Sequence, residues 1–226
     1  MSNSFLFIIP LTPSSHLTNI REELQENCLK ALKNQKYKNW KALLIGKDFP
    51  CKIKDDRFIH LPIEDIKEIK VQHATKYLKD NQLKFDYIIR LDDDDLISDS
   101  ILNSHQNTKA DIIVDIEHWY IDWTSKKVSK DFKPWFPNTC IHKSENALAT
   151  SGDLAQSYMR KVNTNVSLIE NNHSNFHNFY KGKKIIFTPS NAPIYLRVLN
   201  PDSITSNSDN NYTEYLKNYG NWNSKT

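Results

Sequence analysis

Glycine is scarce in this chain of 226 residues: four occur, and none builds a phosphate-cradling loop. GxxxxGK(S/T) and GxGxxG are both absent, which excludes P-loop NTPases and classical dinucleotide dehydrogenases. Any bound diphosphate must be held another way. Cysteine is scarce too. Cys28, Cys51 and Cys140 are far apart, odd in number and form no CxxC pair. That argues against a disulfide framework or a cysteine zinc site and fits free thiols in a reducing cytoplasm. Long apolar runs are missing: Phe5–Ile9, ended by Pro10, is too short for a transmembrane helix. It also lacks the basic start and small-residue cleavage site of a signal peptide. Charge of one sign is lacking as well. The net charge is +3 and the lysines are scattered, so a solvated surface is expected and no nucleic-acid partner. HExxH is absent: His173 and His177 are spaced i, i+4, but Ser174 stands where the glutamate belongs, which argues against a zinc peptidase.

What is present is an alternation of short apolar runs with amphipathic segments. Phe5–Ile9, Ala42–Ile45, Phe58–Leu61, Tyr87–Leu91 and Ile112–Ile116 are rich in branched and aromatic residues, as expected of strands covered on both faces. Between them, Asn19–Asn34 carries Ile20, Leu24, Cys28, Ala31 and Leu32 at helical spacing, with Asn19 and Glu22 as a capping box. Glu64–Asn81 is a second helix, with Ile66, Ile69, Ala74, Tyr77 and Leu78 on its apolar face. This order predicts an α/β fold with a mostly parallel central sheet flanked by helices. After Ile116 the pattern loosens. Helices are expected over Glu145–Lys161 and Leu168–Lys181, then strands over Lys184–Phe187 and Ile194–Val198. A polar tail runs from Ser206 onward. No repeat or linker divides the chain.

The segment that carries chemistry is Tyr87-Ile-Ile-Arg-Leu-Asp-Asp-Asp-Asp-Leu96, a buried strand running into four aspartates. Ligands of open α/β sheets bind beyond the carboxyl ends of strands. In extended backbone Asp92 and Asp94 point one way, Asp93 and Asp95 the other. Carboxylates packed this closely need a cation, and hard oxygen donors suit Mg²⁺ or Mn²⁺, which complete their shell with water and phosphate oxygens. Asp92 and Asp94 are the first metal candidates and Asp95 the next, with Asp93 expected in solvent. A helix-capping turn needs only one acceptor, which makes it the weaker reading of four consecutive carboxylates. Arg90, inside the apolar strand, either pairs with the aspartates or reaches a phosphate. Trp119, Trp123 and Trp135 either stack on a sugar ring in an acceptor groove or fill the core of the second half.

These stretches resemble family 2-type glycosyltransferases of the GT-A (nucleotide-diphospho-sugar transferase) fold, including small bacterial enzymes that build surface polysaccharides. Phe5-Leu-Phe-Ile-Ile-Pro10 resembles the family's opening strand and proline. Asn27-Cys-Leu-Lys-Ala-Leu-Lys-Asn-Gln-Lys-Tyr-Lys-Asn-Trp40 resembles its first helix, and Leu91-Asp-Asp-Asp-Asp-Leu96 its DXD motif. Ile169-Glu-Asn171, with Gly182-Lys-Lys-Ile-Ile186 and Tyr195-Leu-Arg-Val198, resembles its late "ED" helix and closing strands. The resemblance implies one GT-A domain over 1–226. Residues 1–116 would be its nucleotide-sugar-binding half, 117–205 its acceptor and catalytic half, and 206–226 a tail or lid. It implies a Mn²⁺- or Mg²⁺-dependent transfer from a nucleotide-diphosphate sugar to a glycan or lipid-linked saccharide acceptor, with inversion. The location implied is cytoplasmic, with at most a peripheral attachment to the inner membrane face.

Pro10, Thr12, Arg90 and Asp92 would line the donor. Asp48 would grip the nucleotide base, with Asp55 and Asp56 as alternatives. Where the family has "ED" this chain has Glu170-Asn171, so Glu170 is the first choice of catalytic base and Asp153 the second. Asp202, His173 or His177 would replace the family's late metal-binding histidine. A nucleotidyltransferase would open with a glycine-rich basic loop, and Pro10-Leu-Thr-Pro-Ser-Ser15 contains neither glycine nor lysine. A catalytically silent binding scaffold is the other alternative, kept open by the substituted "ED" pair.

Overall fold

A computed structural model describes residues 2–48, 54–131, 140–150, 166–170 and 176–202. The chain runs β1 (Phe5–Pro10), α1 (Asn19–Lys33), β2 (Trp40–Ile45), β3 (Phe58–Leu61), α2 (Lys67–Asp80), β4 (Tyr87–Arg90), β5 (Leu96–Ile97) and α3 (Ile101–His105). It continues with β6 (Ile112–Asp115), β7 (His118–Asp122), β8 (Val128–Asp131), β9 (Cys140–Lys143), α4 (Ser144–Ala147), α5 (Phe176–Phe179), β10 (Ile185–Thr188) and β11 (Tyr195–Leu199). Seven strands form the central sheet in the order β10-β6-β9-β4-β1-β2-β3, and four form a smaller sheet in the order β5-β11-β7-β8.

The α/β architecture expected from the alternation is therefore present, and β1 shows why. All six of its residues are buried, with successive side chains pointing to opposite faces. Phe5, Phe7 and Ile9 pack with Cys28, Leu29 and Leu32 of α1. Leu6 and Ile8 pack with Val71, Ala74 and Leu78 of α2. A strand covered by a helix on each side cannot alternate apolar with polar, so β1 reads as an unbroken apolar run. Each such side chain contributes about 1.5–3 kcal/mol on burial. At the end of β2, a Cβ on Gly46 would lie 2.7 Å from Leu11 Cβ, so only glycine lets the two chain segments approach this closely.

Several expectations are corrected. The N-cap of α1 is Thr18, whose Oγ1 accepts the Arg21 amide at 3.3 Å. The residue three beyond Thr18 is Arg21, so no reciprocal Asn19–Glu22 box forms. The sheet is parallel except for β9, which lies antiparallel between β4 and β6; its four residues carry no period long enough to announce it. The loosened region after Ile116 is a hairpin, β7 with β8. Its alternation of buried His118 and Tyr120 with half-buried Trp119 and Ile121 is masked in sequence because both faces are apolar or aromatic. The helix expected over Glu145–Lys161 stops at Ala147, and Thr150 instead bridges Ser167. Of the helix expected over Leu168–Lys181, the described parts are a single 3₁₀ turn, Leu168–Glu170, and α5. Asp153, Trp135, Asn171, His173 and the tail from Ser206 lie outside the described residues. Among the described residues no helix is long and apolar enough to cross a membrane.

His142, fully buried in β9, places Nδ1 2.8 Å from the Tyr180 hydroxyl. Burial pushes its imidazole down to about 3 from an ordinary value of 6.5. The folded state therefore refuses a proton that the unfolded chain accepts. The stability is intact above pH 6.5 and is lost as pH falls through that range toward 3, at about 1.4 kcal/mol per pH unit. In urea unfolding at pH 7, 6 and 5, His142→Asn is expected to flatten the acid loss of stability by one proton's worth. Parallel pH profiles for the two proteins would contradict the neutral buried imidazole.

Candidate functional site

The parallel strands β1, β2, β3, β4 and β6 all end at one edge of the sheet, and the aspartates follow β4, the middle strand. The four carboxylates split by alternation. Asp93 and Asp95 are each 4% exposed, whereas Asp92 and Asp94 remain half-buried.

Asp93 points inward and accepts from the Thr12 amide at 2.6 Å, the Thr12 hydroxyl at 2.8 Å and Gln25 Nε2 at 2.6 Å. The expectation that Asp93 sits in solvent is thus overturned: it ties the loop after β1 and the body of α1 to the loop after β4. Thr12, expected against the donor, spends both its amide and its hydroxyl on this contact. Asp95 accepts from the Tyr195 hydroxyl and, at 2.7 Å, from the Val198 amide, which fastens β11 to the loop. Burial pushes both carboxyls up from the ordinary range, and for Asp95 the charges of Asp94 and Asp92 add to the rise.

Asp115, at the end of β6, is a third buried carboxylate that sequence reasoning missed. It accepts from Thr188 Oγ1 at 2.7 Å, from the Ile194 amide at 2.7 Å and from the Tyr195 amide at 3.2 Å. Burial raises its carboxyl to about 7 against the pull of those bonds.

Cations stand against Asp92 and Asp94. Lys67 Nζ lies 2.5 Å from Asp92 Oδ2, and Arg21 Nη2 lies 3.4 Å from Asp94 Oδ2. Burial, then the charges of Asp93 and Asp92, raise the Asp94 carboxyl to about 6, although Arg21 and Lys67 oppose the rise. Lys70, 1% exposed, donates to the Leu11 carbonyl at 2.9 Å from the same side of α2. Sequence reasoning passed over Arg21 and Lys67, yet a signal exists. Both sit in the first turn of a helix, where the dipole disfavours cations unless an anion is opposite.

The remaining sequence candidates are placed as follows. Pro10 is buried at the end of β1, paired with Ile45, and is closed to a ligand. Arg90 is 1% exposed inside β4, where burial lowers its pKa and the charges of Asp92 and Glu68 oppose the drop. Its burial favours the structural pairing expected of it over contact with a phosphate. Asp48 is exposed just beyond β2, on the aspartate side of the sheet. Asp55 and Asp56 precede β3 and so lie at the opposite edge. There Asp55 grips Arg57 at 2.6 Å, which holds its carboxyl at about 2, and the Arg57 guanidinium covers Trp40 at 4.1 Å. They are thereby removed as alternatives for the base.

Glu170 accepts from the Thr75 hydroxyl and, at 3.1 Å, from the Ser167 amide. Thr75 lies eight residues beyond Lys67, roughly 12 Å along α2. This arrangement makes Glu170 a brace between α2 and the 3₁₀ turn rather than a carboxylate presented to Asp92 and Asp94. Asp202 accepts from the Thr18 hydroxyl at 2.6 Å, which brings it beside the first turn of α1, and His177 is exposed on α5.

Among the described residues no group of three or more His, Cys, Asp or Glu is arranged to hold a metal by itself. The two half-buried carboxylates on one loop are hard oxygen donors of the kind that suits a divalent ion taking few protein ligands. A separate cavity of about 790 Å³ opens at the opposite edge, among Ser4, Asp86, Tyr87, Asp111, Lys143 and Lys184. It lies where the parallel strands begin, away from the edge at which such sheets bind ligands.

Two of the solved structures that share this fold are informative. They are S. aureus TarS 1–349 in complex with UDP-GlcNAc, at TM-score 0.53, and the same protein in complex with UDP, at TM-score 0.52. Each is 14% identical; the matches cover 90% and 88% of this chain and 61% of theirs. The chain thus spans about three fifths of the length of the proteins it matches. No family model matches the sequence, and no curated protein matches it. The likeness establishes a GT-A-like fold.

Asp115→Ala would leave two backbone amides and a hydroxyl without their acceptor. Each buried unsatisfied donor costs about 1–3 kcal/mol, so a loss of about 3 kcal/mol or more is expected in denaturant unfolding. A loss below about 1 kcal/mol would remove Asp115 from its bracing role.

Proposed function

We propose that this chain is a glycosyltransferase that binds a nucleoside-diphosphate sugar, with a uridine donor first in line, at the carboxyl edge of its central sheet. One observation carries the reading. Asp92 and Asp94 stay open on a loop whose other two aspartates are locked inward, on a fold shared with a protein solved with UDP-GlcNAc. Asp92 and Asp94 would hold Mn²⁺ or Mg²⁺, which when bound supplies Lewis-acid stabilisation of the leaving diphosphate. Asp48, exposed beyond β2, would grip the nucleotide base.

Half-buried Trp119 on β7 and Trp123 just beyond it would stack on a saccharide acceptor, Trp123 through the ring face that Lys126 Nζ, 3.0 Å from its centre, does not cover. The acceptor hydroxyl must lose a proton to a carboxylate as it attacks, and attack from the face opposite the diphosphate inverts the anomeric centre. With both Glu170 oxygens accepting bonds from Thr75 and Ser167, that role passes to Asp153. Asp153→Asn is expected to cut transfer by ~10²-fold or more, and Glu170→Gln to leave it within a few-fold. The reverse ranking would return the role to Glu170.

The deciding experiment for the site is a thermal-shift panel of UDP, GDP, dTDP and CMP, each with Mn²⁺ and with EDTA, followed by release of UDP from UDP-GlcNAc. A Mn²⁺-dependent shift with UDP that disappears in Asp94→Ala, accompanied by turnover, is the expected result. Binding without turnover would favour a silent scaffold. No shift with any nucleotide would remove the donor assignment.

A further inference from the structure

The four aspartates are not neutralised alike. Asp93 and Asp95 take all their recorded bonds from uncharged donors: Thr12, Gln25, Tyr195 and the Val198 amide. Asp92 and Asp94 are met by cations from the first turns of two different helices, while Arg90 also acts on Asp92 and Arg197 on Asp95. A cation at a helix N-terminus faces the positive end of the dipole, so both positions are unfavourable without the aspartates.

The two pairs are physically unequal. Lys67 and Asp92 are close, at 2.5 Å, and both are open to solvent, with side chains 41% and 22% exposed. The Lys67 ammonium is a point charge on a flexible stem that tolerates many geometries. Arg21 is 5% exposed and reaches Asp94 only at 3.4 Å. Its Nε and Nη1 are buried without a hydrogen-bond partner among the described residues. A buried, incompletely bonded guanidinium is held by its surroundings, whereas a half-exposed ammonium is free to leave.

We propose that Lys67 is an exchangeable stand-in for the divalent ion. It occupies Asp92 while the metal is absent, yields that carboxylate to the metal, and then pairs with a phosphate of the donor. Arg21 remains on Asp94 through the exchange. The inference rests on the metal and diphosphate reading above. It explains why a site built for a cation keeps two of its own, because without them Asp92 and Asp94 would repel each other whenever the metal is absent. Lys67 lies on the first residue of α2 at the rim of the loop, so a short swing of its stem moves the charge from Asp92 toward a ligand on the open side.

The test measures two affinities whose changes run in opposite directions. Mn²⁺ binding without nucleotide is followed by the electron-paramagnetic signal of free Mn²⁺, and UDP binding at saturating Mn²⁺ by calorimetry. The proteins are wild type, Lys67→Gln, Lys67→Arg and Lys47→Gln. Lys47→Gln controls for bulk charge, since Lys47 is exposed beyond β2 on the same side. Lys67→Gln is expected to bind Mn²⁺ about tenfold more tightly and UDP about tenfold more weakly, which lies between the value of a unit-charge pair in bulk water and that of a pair near a protein surface. Lys67→Arg should restore both affinities toward wild type, and Lys47→Gln should change neither. Mn²⁺ binding that is unaltered or weakened in Lys67→Gln would overturn the exchange while leaving the metal site standing. So would equal shifts in Lys47→Gln. Absence of Mn²⁺ binding in every protein would overturn the metal reading and the exchange together.

Discussion

The carboxyl edge of the sheet depends on burying carboxylates against neutral donors. Asp93, Asp95 and Asp115 lie at the ends of two parallel strands, and each is 4% exposed or less. Taking a carboxylate out of water is costly unless its oxygens are bonded, and here those bonds are what join the parts. Asp93 joins the loop after β1 to α1 through Thr12 and Gln25. Asp95 and Asp115 converge on the start of β11, through Tyr195, Val198 and Ile194. The small sheet pairs β5, which leaves the aspartate loop directly, with β11. The two carboxylates add to that pairing and to the bond from the Ser98 amide to the Ile194 carbonyl at 3.0 Å.

This bracing sets the chemistry of the remaining two aspartates. The extended backbone expected through the aspartates is not what forms: the Asp95 amide donates to the Asp92 carbonyl at 3.3 Å, and this turn sets Asp93 and Asp95 inward while Asp92 and Asp94 stay half-buried. Their neighbours cannot rotate away, so the repulsion among the four is fixed by the backbone rather than relaxed by motion. The raised carboxyl of Asp94 follows from that rigidity together with burial. Preorganised charge of this kind is what a site for a charged ligand needs, since the cost of assembling it is met on folding rather than on binding.

Much of this was legible in the sequence because the governing patterns are local. A strand run covered on both faces, a helical period and an abrupt change from apolar to acidic at Leu91 each declare themselves within a few residues. The failures share a cause. Asp93 was read as solvated because its donors, Thr12 and Gln25, lie 81 and 68 residues away. Asp115 looked like an ordinary strand end, and its partners are 73 to 80 residues distant. Asp56 was a reasonable base contact by residue type, but it precedes β3, and the parallel register places that end opposite the site. Glu170 matched a motif by position, and only tertiary contact with Thr75 shows both its oxygens engaged. Helix-end chemistry was the unused local signal: Arg21 and Lys67 stand where a helix would sooner have an acid, and each faces an aspartate.

Electrostatics also separates the two edges of the sheet without appeal to likeness. At the lower edge, around the 790 Å³ cavity, the acids are at ease. Asp111 is held below its ordinary value, first by the Lys184 amide and further by Asn146, Lys143 and Lys183. Asp86 takes the Ser4 amide and hydroxyl, each at 2.7 Å, and Glu145 pairs with Lys143 at 2.8 Å. These groups stabilise the fold as they stand. At the upper edge the carboxylates are raised, their cations are borrowed from helix starts, and Arg21 keeps two buried N–H groups unbonded among the described residues. Perturbed groups gathered in one place make a candidate site, although structural ion pairs perturb such groups as well. The lower cavity has volume and acids at ease, whereas the upper edge gathers the carboxyls that burial and like charge raise.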